Sequence, residues 1–219
     1  MAAHTAPTPE PRLPLSRERV LRAAIALADA GGIEALTMRK LAQELGVEAM
    51  SLYHHVAKKE DILDGIVDLV LQEIESPARG TEWKSALRRS AISAHDVLVR
   101  HPWACHLMTS TGVSPARLGY MESVLATLRE GGFSADLTHH AYHALDSHIT
   151  GFTLWQVGFP DDLPELAATF LRELRLEEYP YLAEHAEQHM IESEPEDEGE
   201  FAFGLDLILD GLERLRDTA

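Results

Sequence analysis

Apolar residues along this chain recur at intervals of three and four, the period of helices that bury one stripe and wet the other. Met38, Leu41, Ala42 and Leu45 make such a stripe over 37–45, with Arg39, Lys40, Gln43 and Glu44 on the polar side. An earlier stripe, Val20, Leu21, Ala24, Ile25, Leu27 and Ala28, follows Ser16, which can cap a helix start, and stops at Gly31-Gly32. Ile62, Ile66, Leu69 and Val70 predict a helix over 61–74, and Trp83, Leu87, Ala91, Ala94, Val97 and Leu98 one over 81–100. Further helices are expected over 103–108, from Ser114-Pro115 to Gly131-Gly132, and over 134–157, where Leu137, Ala141, Leu145, His148, Ile149 and Phe152 align. One or two more fall within 165–191, ESEPEDEGE (192–200) reads as an acidic loop, and a last helix covers 201–215. No period-two pattern competes, so the expected fold class is all-α.

The helix over 37–45 is joined to a short one over 49–54 by Gly46-Val47. Glycine can enter the left-handed conformation a tight turn needs, and the valine is an apolar plug between two crossing helices. A short second helix suits a major groove, which admits only a few residues of a helix end to the base edges. Its outward positions are Glu48, Ala49, Met50, Ser51, Tyr53, His54 and His55, while Leu52 and Val56 turn inward. Side chains of these types suit thymine methyls and phosphates better than bidentate guanine contacts. Lys58 and Lys59 open the next helix, where cations oppose the dipole, and a bound phosphate would account for them. The expected DNA-contacting set is therefore Thr37, Met38, Arg39, the seven outward positions from Glu48 to His55, and Lys59. The domain organisation expected is a proline-rich, disordered lead-in over 1–15, whose Arg12 could touch a phosphate, a three-helix helix-turn-helix domain over 16–60, a connecting helix over 61–76 and a helical body over 77–219.

Thr37, Arg39, Lys40, Leu41, Ala42, Leu45, Gly46, Val47, Leu52, Tyr53, His55, Val56 and Lys59, at their fixed spacing, resemble the DNA-binding signature of the tetracycline-repressor (TetR) family. FAFGLDLILDGLERL (201–215) is similar to the C-terminal helix of the tetracycline-repressor subgroup, and GFTLW (151–155) to its FTL segment. The resemblance implies a regulator whose body over 77–219 binds a small-molecule effector and dimerises. Trp103, His106, Met108, His148, Phe152, Trp155 and Gln156 are the expected ligand-binding residues, two clusters of aromatics with a few polar groups, although core packing would use the same residues. Tetracycline-binding members carry a metal-coordinating histidine where this chain has Gly151 and a glutamate where it has Phe159, so a metal-chelated tetracycline is not expected.

The net charge of −17 bears on a DNA partner, but it is segregated: residues 12–59 carry +3, leaving −20 for the rest. Acidic groups held more than a Debye length of about 8 Å from the phosphates are largely screened. No run of about 18 apolar residues and no basic-then-apolar leader occurs, which predicts a cytoplasmic protein with no membrane partner. One cysteine, Cys105, allows no internal disulfide. Twelve histidines raise a metal-sensing alternative through His139, His140 and His143, with His185 and His189 one turn apart as a second pair. A helical metal-dependent enzyme is the remaining rival; no phosphate loop, nucleophile elbow or His-Glu-x-x-His helix supports one, so neither catalysis nor a cofactor is expected. In the last helix Phe201, Leu205, Ile208, Leu212 and Leu215 make a heptad-like seam, with Gly204 and Gly211 seven apart, as a homodimer interface with the helix over 134–157 would need. The function expected is a homodimeric, sequence-specific repressor, released from a palindromic operator by its effector.

Overall fold

The computed structural model describes residues 14–110, 114–158, 178–185 and 197–218, which are helices and turns with no strand among them. The expected lead-in over 1–15, with Arg12, lies almost wholly outside the described residues. The chain divides into two compact units between Ile66 and Val67.

The first unit contains α1 (Arg17–Gly31), a 3-10 turn (Ile33–Ala35), α2 (Met38–Leu45), α3 (Ala49–Leu52) and the first part of α4 (Lys59–Leu71). Ser16 caps α1, its Oγ accepting from the Arg19 N–H at 3.2 Å, and Gly32 at φ 74° ends it. Val20, Leu21, Ala24, Leu41, Leu45, Leu52, Val56, Ile62 and Ile66 form the core. Full burial of a leucine such as Leu52 contributes about 1.5–3 kcal/mol, so a unit this small depends on each of them. Helix α4 packs tightly on α1 at Gly65, where a Cβ would lie 2.8 Å from Leu21 Cδ2. It starts two residues before the expected 61, because the Asp61 carboxylate accepts from the Ala57 and Lys58 N–H groups at 3.0 and 3.2 Å and satisfies the helix start there. It ends at Leu71, and Glu73 and Ile74 continue only as tighter turns, bonding to Val70 and Leu71.

The second unit is built on α5 (Trp83–Arg100), with α6 (Trp103–Ser110), α7 (Pro115–Glu130), α8 (Ala135–Val157), α9 (Pro180–His185) and α10 (Asp197–Thr218). Helix α5 packs on α6, α7, α8 and α10, and α8 packs on α7 and α10. Ser114 and Ser134 cap α7 and α8. Of the expected helices within 165–191 only α9 lies among the described residues. Helix α10 begins at Asp197, so the last four residues of the expected acidic loop form its first turn.

The seam expected to meet a partner is used inside the chain. Phe201, Leu205, Leu209 and Leu212 are buried, with Leu209 taking the core position assigned to Ile208 and Leu215 left exposed. Gly204 admits a ring of the same chain: a Cβ there would stand 2.6 Å from His148 Cε1. Lys84 to Asp210 and Glu213, at 2.7 and 2.6 Å, and Arg88 to Asp206 at 2.7 Å run between α5 and α10. Phe203, Leu207 and Leu215 face outward.

Candidate nucleic-acid interface and ligand cavity

In the first unit the α2–α3 turn is set by Gly46, left-handed at φ 65° and ψ 36°. The Gly46 N–H bonds to the Gln43 carbonyl at 3.1 Å and the Val47 N–H to the Ala42 carbonyl at 3.0 Å, closing α2. Thr37 caps α2, its Oγ1 accepting from the Lys40 N–H at 3.1 Å. Leu52 and Val56 are buried, which fixes the roll of α3 and turns the rest of its surface outward. Thr37, Arg39, Glu48, Met50, Tyr53, His54 and Lys59 are exposed, and Met38, Ala49, Ser51 and His55 are half-buried. Met50 is 72% exposed, far beyond what a core methionine would show. The stretch 39–60 carries the cations Arg39, Lys40, Lys58 and Lys59, all exposed, against Glu44, Glu48 and Glu60. Such a surface offers one thioether and one phenol for groove contacts and several cations for phosphates.

In the second unit the residues expected to bind a ligand lie on α6 and α8. Trp103 is buried, with its ring 6.1 Å from that of His101; His106 is exposed, and Met108 is half-buried, its carbonyl accepting from the Arg117 guanidinium. His148, Phe152 and Trp155 form a ring cluster that closes on the protein itself. His148 Nε2 lies 3.0 Å from the Phe201 carbonyl, the two rings stack at 4.8 Å, and Phe201 stacks in turn on buried His95 at 4.0 Å. Phe152 touches His95, His148, Phe201 and Trp155, and Trp155 stays 53% exposed. Gln156 is half-buried, with a buried Oε1 that has no hydrogen-bond partner among the described residues. Gly151 is exposed, and Phe159 lies outside the described residues.

A cavity of about 20 Å³, room for one water molecule, lies elsewhere, among α5, α7 and α8. Leu87, Ala91, Val124, Leu145 and Ile149 form its apolar wall, and Ser90, Tyr120, Tyr142 and Asp146 its polar one. None of the seven expected ligand residues lines it. Ser90 Oγ and Tyr120 Oη are 3.5 Å apart. Burial pushes the Tyr142 hydroxyl up to about 12 and raises that of Tyr120, so both remain neutral phenols. Burial likewise raises the Asp146 carboxyl above the usual carboxylate range, opposed by the charges of Arg117 and His143. Sequence reasoning passed over all four polar residues. Two signals were present: Ser90 interrupts the apolar stripe of α5, and Tyr142 and Asp146 stand one turn apart on α8.

Histidines 139, 140 and 143 meet edge to face, with centroids 5.4 and 4.6 Å from His139, and no group of three His, Cys, Asp or Glu that could hold a metal occurs among the described residues. His189, of the second expected pair, lies outside them. Among the described residues no helix is long and apolar enough to cross a membrane.

Comparison with known proteins agrees with this geometry. Residues 20–66 match the model of bacterial regulatory proteins of the tetR family, and residues 76–216 that of the tetracyclin repressor-like C-terminal domain. The HTH-type transcriptional repressor DrrR1 of Streptomyces coeruleorubidus is 33% identical, over 95% of this chain and 81% of its own length. Tetracycline repressor protein class D of Escherichia coli is 33% identical, over 91% and 89%. The crystal structure of the Streptomyces coelicolor TetR family protein ActR in complex with actinorhodin matches with a TM-score of 0.75 at 28% identity, over 93% of this chain and 99% of that one. With both family models matched in sequence order and the helix-turn-helix exposed at the N-terminal one, this chain belongs to the tetR family of bacterial regulatory proteins.

Proposed function

We propose that two copies of this chain bind a near-palindromic operator and repress transcription until a small-molecule effector enters the second unit. The observation that carries the reading is the surface of α2 and α3, where Thr37, Arg39, Met50, Tyr53, His54 and Lys59 stand clear of a core that includes Leu52 and Val56. Met38, Glu48, Ala49, Ser51 and His55 complete the proposed contact set. A helix this short reads too few bases to be selective alone, so two half-sites about 34–36 Å apart are needed. Exposed Phe203, Leu207 and Leu215 on α10 and Trp155 on α8 supply apolar surface for a second copy.

Effector release is supported by the ligand-bound ActR structure among the relatives and by a cavity with convergent polar groups in the matching domain. An effector shifts the operator equilibrium only if it binds the released form better, and a coupling of about 1–3 kcal/mol would weaken operator binding about 5- to 150-fold. The chain acts here as a regulator without catalysis, a reading supported by its family.

The test is binding to the DNA upstream of its own gene at fixed salt. Tyr53→Ala and Lys59→Ala are expected to weaken specific binding, and Lys59→Ala to lower the slope of log affinity against log salt by about one. Unchanged affinity in both variants refutes the proposed reader. For the dimer, sedimentation equilibrium is expected to give twice the chain mass, and a single-chain mass at micromolar concentration refutes it.

A further inference from the structure

We propose that Met50 is an oxidation site that controls the reader: conversion of its thioether to the sulfoxide by hydrogen peroxide lowers sequence-specific DNA binding and leaves the fold intact. The proposal rests on the DNA-contacting surface proposed above and adds a chemical modification that regulates it.

Met50 is 72% exposed, whereas Met38, Met108 and Met121, the other methionines among the described residues, are half-buried. Peroxide attacks sulfur where it can reach it, so Met50 is the first of the four to react. In that step a lone pair of the sulfur forms a bond to one peroxide oxygen, the O–O bond breaks, and the second oxygen leaves as water with both hydrogens. Sulfur loses two electrons and the peroxide gains them. Cys105, the one cysteine, is a poor competitor for the peroxide. It is buried, and burial pushes its thiol up to about 11, so little of the reactive thiolate exists at neutral pH.

The place of Met50 gives the product its consequence. Met50 lies on α3, four residues long between Glu48 and Tyr53, and buried Leu52 and Val56 hold that helix to the core. An oxygen added to Met50 therefore meets water and disturbs no packing, and the free protein keeps its fold. On DNA the balance differs. A thioether is apolar and adaptable, suited to a thymine methyl. The sulfoxide is polar and accepts hydrogen bonds without donating any, while phosphate oxygens, thymine O4 and purine N7 are acceptors too. Pressed against them it gives up its own water with nothing in return. The charges of Lys58 and Lys59 are untouched by this change, so attraction to any duplex stays.

The full chain is treated with hydrogen peroxide, free and bound to the duplex upstream of its own gene, and sulfoxide at each methionine is followed by peptide mass spectrometry. In the free protein Met50 is expected to react about threefold or more faster than Met38, Met108 or Met121, and the duplex is expected to slow it by a similar factor. The oxidised protein should keep its circular dichroism and Tm. It should bind that duplex about 5- to 100-fold more weakly, the span of one lost base contact, with affinity for a scrambled duplex unchanged. Methionine sulfoxide reductases should restore specific binding. Met50→Leu sets its own baseline, and peroxide should then change its affinity no further, which separates Met50 from Met1 and Met190, outside the described residues, and from every other oxidisable group. Met50 that reacts no faster than the half-buried methionines, or as fast on the duplex as free, overturns the proposal. So does a Met50→Leu protein that loses affinity on oxidation as the parent does, or a Tm that falls with Met50 sulfoxide. If Tyr53→Ala and Lys59→Ala weaken specific binding and Met50 sulfoxide does not, oxidation control is refuted and the reader stands; if none of the three weakens it, the reader is refuted as well.

Discussion

Gly204→Ala separates two opposed effects on one helix. Glycine in a helix interior costs about 1 kcal/mol relative to alanine, so propensity alone predicts a more stable protein. The site says otherwise, because the new Cβ would stand 2.6 Å from His148 Cε1, inside contact distance. That ring cannot swing away freely: it stacks on Phe201, touches Phe152, and its Nε2 lies 3.0 Å from the Phe201 carbonyl. Overpacking of this kind costs about 1–3 kcal/mol, and the lost hydrogen bond about 1 kcal/mol more. The net expectation is a loss of about 1–3 kcal/mol, or about 2–12 °C in Tm for a chain of this length. Gly119→Ala is the control. Gly119 is exposed in the middle of α7 with nothing within 4 Å of the added atom, so it should gain about 0.5–1 kcal/mol. Urea unfolding followed by circular dichroism at one protein concentration reads both, the fixed concentration removing the contribution of self-association. In the double variant with His148→Ala, Gly204→Ala should turn neutral or stabilising. If Gly204→Ala is as favourable as Gly119→Ala, the contact between α8 and α10 is not the one described.

Three further outcomes follow from particular groups. Gly46→Ala places a side chain at φ 65° and should cost about 1–2 kcal/mol, read as a lower urea midpoint together with weaker operator binding. Burial holds the Cys105 thiol up at about 11, so about one molecule in a thousand is thiolate at pH 8 and alkylation of the native protein should be slow, rising sharply in denaturant; rapid native labelling refutes the burial. Because the folded Asp146 carboxyl is raised, the folded state holds its proton longer than the unfolded one, and its share of stability is lost as pH rises through that folded value. Asp146→Asn should therefore gain in Tm over the ligand-free wild type at pH 8 and lose that advantage below the ordinary carboxylate range.

The reader could be located from sequence because its determinants are local. A cap at Thr37, a stripe of period 3.6 and a left-handed glycine lie within ten residues, and Leu52 and Val56 then fix which side chains face out. The seam of α10 could be assigned only in part. Phe201, Leu205 and Leu212 were visible as one face, but the same pattern serves a neighbour in the same chain or in another, and only the position of α5 and α8 decides between them. The cavity of the second unit was the least legible. Trp103, Phe152 and Trp155 attract notice as large aromatics, yet Phe152 is held by Phe201, a residue forty-nine positions away that no spacing rule connects to it. Ser90, Tyr120, Tyr142 and Asp146 look like ordinary helix residues until three helices bring them to one cavity.

Net charge and buried packing act differently where the first unit meets DNA. The −20 carried outside residues 12–59 acts over distances that salt of physiological strength screens at about 8 Å, so it opposes approach to a duplex only at short range. In the proposed complex a net of +3 over residues 12–59 would draw the reader to any duplex, whereas the buried Leu52 and Val56, by fixing how α3 presents Met50 and Tyr53, would determine which sequence it holds. Changing a surface charge should alter affinity for all DNA together, and changing Leu52 or Gly46 should alter the preference among sequences.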